Sequence, residues 1–144
     1  ETRRIVGDYL LTVEDFRGCR DFDDEICRNC YFVDVHHKQS QVAQARSRTG
    51  DGPIGSIHLP PGKSHGIPYR SLLPQGAVNL LVAGRSISTD RPTQGSTRVM
   101  PVCLAMGEAA GLAAAMAARA GGAVRGVDVQ ALRTGLRQAG AFLP

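Results

Sequence analysis

The fold is decided by the stretch from Asn79 to Ala115, which has the sequence NLLVAGRSISTDRPTQGSTRVMPVCLAMGEAAGLAAA. Its first part is a continuous apolar run, Leu80–Ala83, that ends at Gly84. An apolar run without polar alternation is typical of a strand that is buried on both faces, as in a parallel sheet covered by helices. We therefore predict a buried strand at Leu80–Ala83.

A long helix is predicted after this strand. The segment from Thr89 to Thr97 is rich in turn residues and indicates a connection, and Pro101 then occupies a first-turn position, where its missing N–H costs nothing. The helix should run to Arg119 and stop at Gly121 and Gly122. Together, the strand and the helix predict an α/β fold.

Two glycines, Gly107 and Gly111, lie inside the predicted helix and share one of its faces because they are four residues apart. Each glycine in a helix interior costs about 1 kcal/mol relative to alanine. Their presence indicates that a side chain would obstruct either close packing against a sheet or contact with a cofactor. We expect both positions to be sensitive to a larger residue.

The order strand, Gly84-Arg85-Ser86, glycine-containing loop and helix start is typical of a ligand site. In open α/β sheets, ligands bind just beyond the carboxyl ends of the strands. A helix N-terminus at that place offers free N–H groups and positive potential. Many α/β proteins share this order, so it predicts a site and leaves the ligand open.

The rest of the chain is less regular. Arg4–Leu11 is predicted to be a strand or a hairpin arm, and Thr12 the N-cap of a short helix. A second helix is predicted over Asp23–Arg28 and a strand over Tyr31–Val35. The polar segment at about 36–66 predicts a long loop, which indicates a functional lid or a partner segment that is absent from the chain. A last helix should begin after Asp128 and end at Gly140.

Composition excludes several classes of protein. Hydrophobic residues make up 42% and charged residues 21% of the 144 residues, as in soluble globular proteins. The basic residues behind the net charge of +4 are scattered, so we expect no nucleic-acid partner. Val99–Ala120 is long enough to span a membrane, but its Ala and Gly content and the central Glu108 predict a buried helix instead. The few cysteines favour a reducing compartment, and hence the cytoplasm.

Cysteine and histidine residues raise the alternative of a metal site. Cys27 and Cys30 form a C-x-x-C pair that is followed by His36 and His37. A structural zinc site usually has a second ligand pair at a similar short spacing, and that pair is missing. We therefore predict ordinary thiols and no metal. Among the histidines, His65 is the candidate for contact with a substrate or cofactor.

Four blocks of sequence, in a fixed order, resemble one family. They are ETRRIVGDYLLTVED (Glu1–Asp15), IPYRSLLP (Ile67–Pro74), NLLVAGRSIS (Asn79–Ser88) and QGSTRVMPVCLAMGEAAGLAAA (Gln94–Ala115). The blocks resemble FAD-dependent oxidoreductases related to the flavoproteins of fumarate reductase and succinate dehydrogenase. The resemblance covers the chain nearly from end to end, and only the segment from His36 to His65 is unfamiliar.

This resemblance implies the C-terminal part of a two-domain flavoprotein with a Rossmann-like FAD-binding domain. Residues 1–75 would belong to the substrate or cap domain, 76–121 would form the closing strand and helix of the FAD-binding domain, and 122–144 would form a C-terminal helix. The partner would be an N-terminal FAD-binding region outside this chain, where a strand leads into a G-x-G-x-x-G turn and a helix.

The family resemblance also implies roles for individual residues. Arg98 precedes the helix start as a catalytic arginine does in fumarate reductase relatives, although the surrounding residues depart from that pattern. Arg85 stands where many flavoproteins have a carboxylate. The implied FAD-binding residues are Gly84, Arg85, Ser86, Gly95, Arg98, Val99 and Met100.

Two functions follow for the complete protein. The first is an FAD-dependent oxidoreductase that acts on a small organic substrate, with this chain inactive by itself. The alternative is a non-catalytic binding or assembly module that keeps the C-terminal shape of a flavoprotein.

Overall fold

Helices and two small antiparallel sheets form the part of the protein that the computed structural model describes, which is residues 3–35 and 56–144. This arrangement agrees with the predicted mixed α/β class. The elements in chain order are α1 (Val13–Arg17), β1 (Glu25–Asn29), β2 (Val33–Asp34), β3 (Ser56–Ile57), β4 (His65–Pro68), α2 (Arg91–Thr97), α3 (Met100–Arg119) and α4 (Val129–Gln138).

The larger sheet pairs β1 with β4 in antiparallel register, and the smaller sheet pairs β2 with β3 in the same way. The helix predicted over Asp23–Arg28 is therefore wrong, because most of that segment is β1. Short-range propensity favoured a helix there, but the segment gains its backbone hydrogen bonds from a strand that is distant in sequence. The strand predicted over Tyr31–Val35 is confirmed only as the shorter β2.

The long helix α3 is confirmed and forms the centre of the core. It packs against β1 on one side and α4 on another. Its buried residues recur every three or four positions, which gives it one core-facing stripe. The stripe consists of Val102, Met106, Ala109, Ala113 and Ala117.

The opposite face of α3 is open to solvent. A Cβ atom on Gly107 or Gly111 would meet no described atom within 4 Å. Met100 and Leu104 are 72% and 74% exposed on the same face. The expected packing of these glycines against a sheet is wrong for the described part of this chain, because the predicted sheet is not formed there.

Length and composition alone would allow α3 to cross a membrane, but the core helix of a soluble protein passes the same test. The stripe from Val102 to Ala117 faces the hydrophobic core of the described structure.

The N-terminal segment is not a regular strand, and it bends at Asp8 and Tyr9. Arg4–Leu11 makes two isolated bridges, Gly7 with Pro74 and Leu11 with Thr89, so the strand predicted there is wrong. The N-cap prediction for Thr12 is confirmed. Its backbone N–H donates to Asp15 Oδ2 (3.0 Å), and the Asp15 N–H donates to Thr12 Oγ1 (3.4 Å), which forms a capping box.

The apolar run Leu80–Ala83 is not a strand in the described structure, so that prediction is wrong for this chain. Leu80 is 50% exposed. Its backbone hydrogen bond to another described residue runs from Val82 N–H to Leu72 O (2.9 Å). An apolar run becomes a parallel strand only when neighbouring strands pair with it, and no described segment does so.

The connection predicted at Thr89–Thr97 contains helix α2. The Asp90 side chain caps it by accepting from the Thr93 N–H (2.8 Å), and Pro92 lies in its first turn. These start signals were present in the sequence, but the glycine and the hydroxyl residues that follow favoured a loop.

The last helix, α4, is confirmed with Asp128 as its N-cap. It packs against α3 and β1. The hydrophobic core contains residues from all three predicted domain segments, among them Leu11, Val102 and Leu136. The domain boundaries themselves stay a prediction.

Candidate functional site

The junction between α2 and α3 forms the first half of the candidate site. Arg98 ends α2 in helical geometry, and Val99 then takes an extended conformation (φ −73°, ψ 152°) as the N-cap of α3. Val99 makes no side-chain capping bond. The first N–H groups of α3 therefore lack the side-chain acceptor that an Asp or Ser at this position would supply.

A tight turn at Gly84–Ser86 lies beside this junction. Gly84 has a positive φ of 78°, which glycine adopts without strain. The Arg85 carbonyl accepts from Gln94 Nε2 (3.0 Å), and Arg85 Nε donates to the Arg98 carbonyl (3.2 Å). The structure thus brings Gly84–Ser86 and Arg98–Met100, two of the predicted cofactor-binding groups, together.

Arg98 is held in place by β2. Its Nη2 group donates to Asp34 Oδ2 (3.1 Å) and to the Asp34 carbonyl (3.3 Å), and both side chains are about 28% exposed. Because the guanidinium of Arg98 donates to both the side chain and the backbone of Asp34, it has little freedom to move. The catalytic role of Arg98 stays a prediction, and the structure supplies the fixed position that such a role needs.

Gly95 serves the packing of α2 against β2. A Cβ atom at this position would stand 2.5 Å from Asp34 O and 3.1 Å from Asp34 N. No side chain fits there. This close approach brings Asp34 within reach of Arg98. The sequence did not reveal this packing role of Gly95. The predicted contact of Gly95 with FAD stays a prediction.

A cavity of about 580 Å³ lies beside the start of α3 and was missed by the sequence analysis. It is predominantly apolar, and aromatic rings form part of its wall. Phe32 stacks on Tyr31 at a centroid distance of 4.5 Å and on His58 at 4.7 Å. The lining residues are Arg28, Asn29, Cys30, Tyr31, Phe32, His58, Leu59, Val99, Pro101, Val102 and Ala105.

A buried polar network supports this cavity wall. Asn29 Nδ2 donates to Ser96 Oγ (2.7 Å), and Ser96 Oγ donates to the Tyr31 carbonyl (2.6 Å). The Tyr31 N–H donates to Asn29 Oδ1 (3.0 Å), and Asn29 Nδ2 is 3.4 Å from His65 Nε2. The network fixes the backbone that carries Tyr31 and Phe32.

His65 lies behind the cavity and does not line it. It is fully buried and makes an edge contact with the Phe16 ring at 5.1 Å between centroids. Burial, with the nearby positive charge of Arg28, lowers the pKa of His65 to about 4. The predicted contact with substrate or cofactor is untested, and in this position His65 would be a neutral group near pH 7.

The pH dependence of stability should report this buried histidine. Between the ordinary pKa of 6.5 and the folded value of about 4, the unfolded chain binds a proton that the folded chain does not. The contribution of His65 to the free energy of unfolding is therefore fully present above pH 6.5. It should be lost as the pH drops towards 4, which lowers the free energy of unfolding by on the order of 3 kcal/mol. Urea unfolding of the parent and of His65→Gln at pH 7 and pH 4.5 would measure this loss.

The substitution His58→Gln, at an exposed histidine, is the matched control and should keep the parental pH dependence. A parental pH dependence in His65→Gln as well would contradict the assignment to His65.

The cysteine pair does not form a metal site with described residues. Burial raises the pKa of the Cys27 thiol to about 12, which keeps it protonated, whereas Cys30 is exposed. No group of three or more metal-ligating side chains occurs in residues 3–35 or 56–144. His36 and His37 lie outside the described residues, so the zinc alternative that includes them is untested.

The turn and the cavity lie on different flanks of α3. A Cβ on Gly84 would stand 3.9 Å from Cys103 Sγ, whereas Ala105 lines the cavity. Two residues along an α-helix correspond to a rotation of about 200°. The helix start therefore has the turn on one flank and the ring-lined cavity on the other.

One comparison with known proteins bears on this arrangement. A family model described as FAD dependent oxidoreductase matches residues 1–136, a range that includes both flanks of the site. No curated protein and no solved structure matches the chain.

Proposed function

Because the chain belongs to the family of FAD dependent oxidoreductases, we propose that it is the C-terminal part of such an enzyme and completes its flavin pocket. The observation that carries the proposal is the start of α3, which has no side-chain cap and lies beside the turn Gly84–Ser86. A relation to fumarate reductase and succinate dehydrogenase flavoproteins is part of this proposal.

The described residues fit the cofactor. Bound FAD would supply the redox chemistry, and the pyrimidine edge of its ring system is negatively charged when reduced. The backbone from Arg98 to Met100 would hold that edge, because uncapped N–H groups and the positive end of a helix of 20 residues favour negative charge. Gly84, Arg85 and Ser86 would hold the ribitol and pyrophosphate.

The cavity, Arg98 and His65 would bind and orient the substrate. The ring-lined cavity on the other flank of α3 would hold a small organic substrate and exclude water from it. Arg98, fixed by Asp34, would place a positive charge where substrate and flavin meet. His65 would act as a positioning residue, through Asn29 and the cavity wall.

The partner in this proposal is a region that binds the ADP end of FAD and supplies a parallel sheet. Its sheet would cover the open face of α3 and pair with Leu80–Ala83, which is apolar and has no partner strand among the described residues. The domain roles would then be the substrate or cap domain for residues 1–75, the closing strand and helix of the FAD-binding domain for 76–121, and a C-terminal helix for 122–144. A cytoplasmic location is part of the proposal, because four cysteines in 144 residues are few for a disulfide framework.

The pattern G-x-G-x-x-G does occur in this chain, at Gly50–Gly55. A pyrophosphate turn of the Rossmann type follows a strand and opens a helix. Here the pattern lies outside the described residues, and the next element after it is the strand β3. The context favours a pyrophosphate turn in the partner region rather than at Gly50–Gly55.

The open glycine face of α3 provides the test. We expect the complete protein to purify with FAD, and Gly107→Leu or Gly111→Leu to reduce FAD content several-fold, because a leucine would hold the partner sheet away from α3. In the chain of 144 residues alone, neither substitution should lower the denaturation midpoint, since the space around both glycines is open. FAD absorbance and denaturant melts measure the two effects.

The isolated chain should bind FAD weakly or not at all in a fluorescence titration. Complete protein without FAD would favour the binding or assembly module instead. Unchanged FAD content in both leucine variants would show that the α3 face does not contact the FAD-binding region.

A further inference from the structure

We propose that the ring-lined cavity beside α3 accepts the ring of an aromatic monocarboxylate, and that a small dicarboxylate is a poor ligand for it. The inference rests on the proposed function, because it assigns the class of substrate that this flank of the site would take. The cavity walls, the distribution of charge and the cavity size support it.

The cavity walls favour a planar, apolar group. Tyr31, Phe32 and His58 form a continuous stack with centroid distances of 4.5 and 4.7 Å. Rings arranged in this way offer faces and edges for offset stacking with a further ring. Aliphatic groups, including Val102 and Ala105, complete the wall.

The charge of the lining favours a single negative group. None of the described residues that line the cavity is an Asp or Glu, so no carboxylate among them attracts a cation. The guanidinium of Arg28 already donates to Asp21 (2.6 Å), Glu25 (2.9 Å) and Ser64 (2.8 Å), and so it has little capacity left for a ligand. Among the described residues, the start of α3 at Val99–Val102 offers positive potential, and the guanidinium of Arg98 lies at the same junction.

The two ligand classes differ in how they match this distribution. An aromatic monocarboxylate can place its carboxylate at the start of α3 and its ring against Phe32, and a volume of about 580 Å³ is in the usual range for such sites. A four-carbon dicarboxylate would place its second carboxylate against the apolar wall. There it would lose its hydration without gaining a partner.

Cinnamate and fumarate form a matched pair of probes, because they share a trans-alkene carboxylate and differ by a phenyl group in place of the second carboxylate. Binding can be followed at Cys30, an exposed thiol that lines the cavity. Complete, FAD-loaded protein is treated with iodoacetamide with and without each probe. Mass spectrometry then gives the alkylation rate of Cys30, with Cys19, outside the cavity lining, as internal reference.

We expect cinnamate to slow alkylation of Cys30 at least about tenfold at saturation, with Cys19 unaffected. Fumarate should not slow it, and cinnamamide, which has the ring without the charge, should need a higher concentration than cinnamate. Ala105→Leu fills part of the cavity and should weaken protection by cinnamate at least about tenfold. Ala131→Leu, the same change on the exposed face of α4, is the matched control and should behave as the parent.

Phe32→Leu is a second variant in case Ala105→Leu does not fold. It keeps apolar volume, removes the stacking ring and should also weaken protection. FAD content and the thermal midpoint are measured for every variant.

The inference is overturned if cinnamate fails to protect Cys30 in FAD-loaded protein, or if fumarate protects as well as cinnamate. It is also overturned if folded Ala105→Leu and Phe32→Leu keep parental protection. These outcomes leave the proposed function intact. Complete protein that contains no FAD contradicts the proposed function, whatever the protection at Cys30.

Discussion

Replacing Arg98 by Met in the complete protein should slow flavin reduction at least about a hundredfold, while FAD content and the thermal midpoint stay near the parental values. Arg98 lies at the α2–α3 junction, and its guanidinium is held by Asp34 at 3.1 Å. A fixed cation at a reacting centre can lower the barrier by about 3 kcal/mol or more. Its ion pair, being partly exposed, should contribute under about 1 kcal/mol to stability. Single-turnover flavin reduction by stopped flow gives the rate.

Two further substitutions separate catalysis by Arg98 from simple ion pairing. Arg98→Lys should rescue the rate only in part, because a point charge cannot reproduce the planar fork of the guanidinium. Asp34→Asn removes the ion pair but keeps the cation and its hydrogen bond to the backbone carbonyl of residue 34 (3.3 Å), and so it should retain most of the parental rate. A parental rate in Arg98→Met would exclude a catalytic role. Equal losses in Asp34→Asn and Arg98→Met would reduce the role of Arg98 to holding β2.

Gly95→Ala should lower the free energy of unfolding by about 3 kcal/mol, near the upper end of the range for overpacking. The added Cβ would stand 2.5 Å from Asp34 O and 3.1 Å from Asp34 N. Backbone atoms cannot rotate away as a side chain could, so α2 or β2 must move. Chemical denaturation of the chain and its variant measures the difference in stability.

Gly107→Ala is the matched control, since it makes the same change in open space on α3. It should leave stability unchanged or raise it by up to about 1 kcal/mol, because alanine is the better helix former. If Gly95→Ala and Gly107→Ala had the same denaturation midpoint, the close contact between α2 and β2 would be refuted.

Features set by neighbouring residues were predictable from the sequence. The caps at Thr12 and Asp128 and the length of α3 depend on side chains within a few positions of one another, and all three predictions are confirmed. The start of α3, at Arg98–Met100, was expected to contact the cofactor because of the resemblance to the family, and this expectation stays a prediction. That the helix start lies beside Gly84–Ser86 follows from the short chain between them.

Features that depend on distant parts of the chain were not predictable. β1 is a strand because β4 pairs with it, and local preference alone indicated a helix. Leu80–Ala83 has the composition of a buried strand, but a strand needs neighbours that the described residues do not supply. The cavity brings Phe32, His58 and Ala105 together from three separate segments, and the adjacent Tyr31 and Phe32 were its one visible sign in the sequence.

The uncovered apolar surface has a consequence for how the protein is made. Leu80–Ala83 has no partner strand among the described residues, and Met100 and Leu104 expose apolar side chains on α3. Such edges and patches are templates for aggregation when nothing covers them. We expect the chain, when it is expressed without the proposed FAD-binding region, to need chaperones for folding and to accumulate as insoluble aggregates. In the proposed complete protein, an FAD-binding region that folds first would cover the same surface.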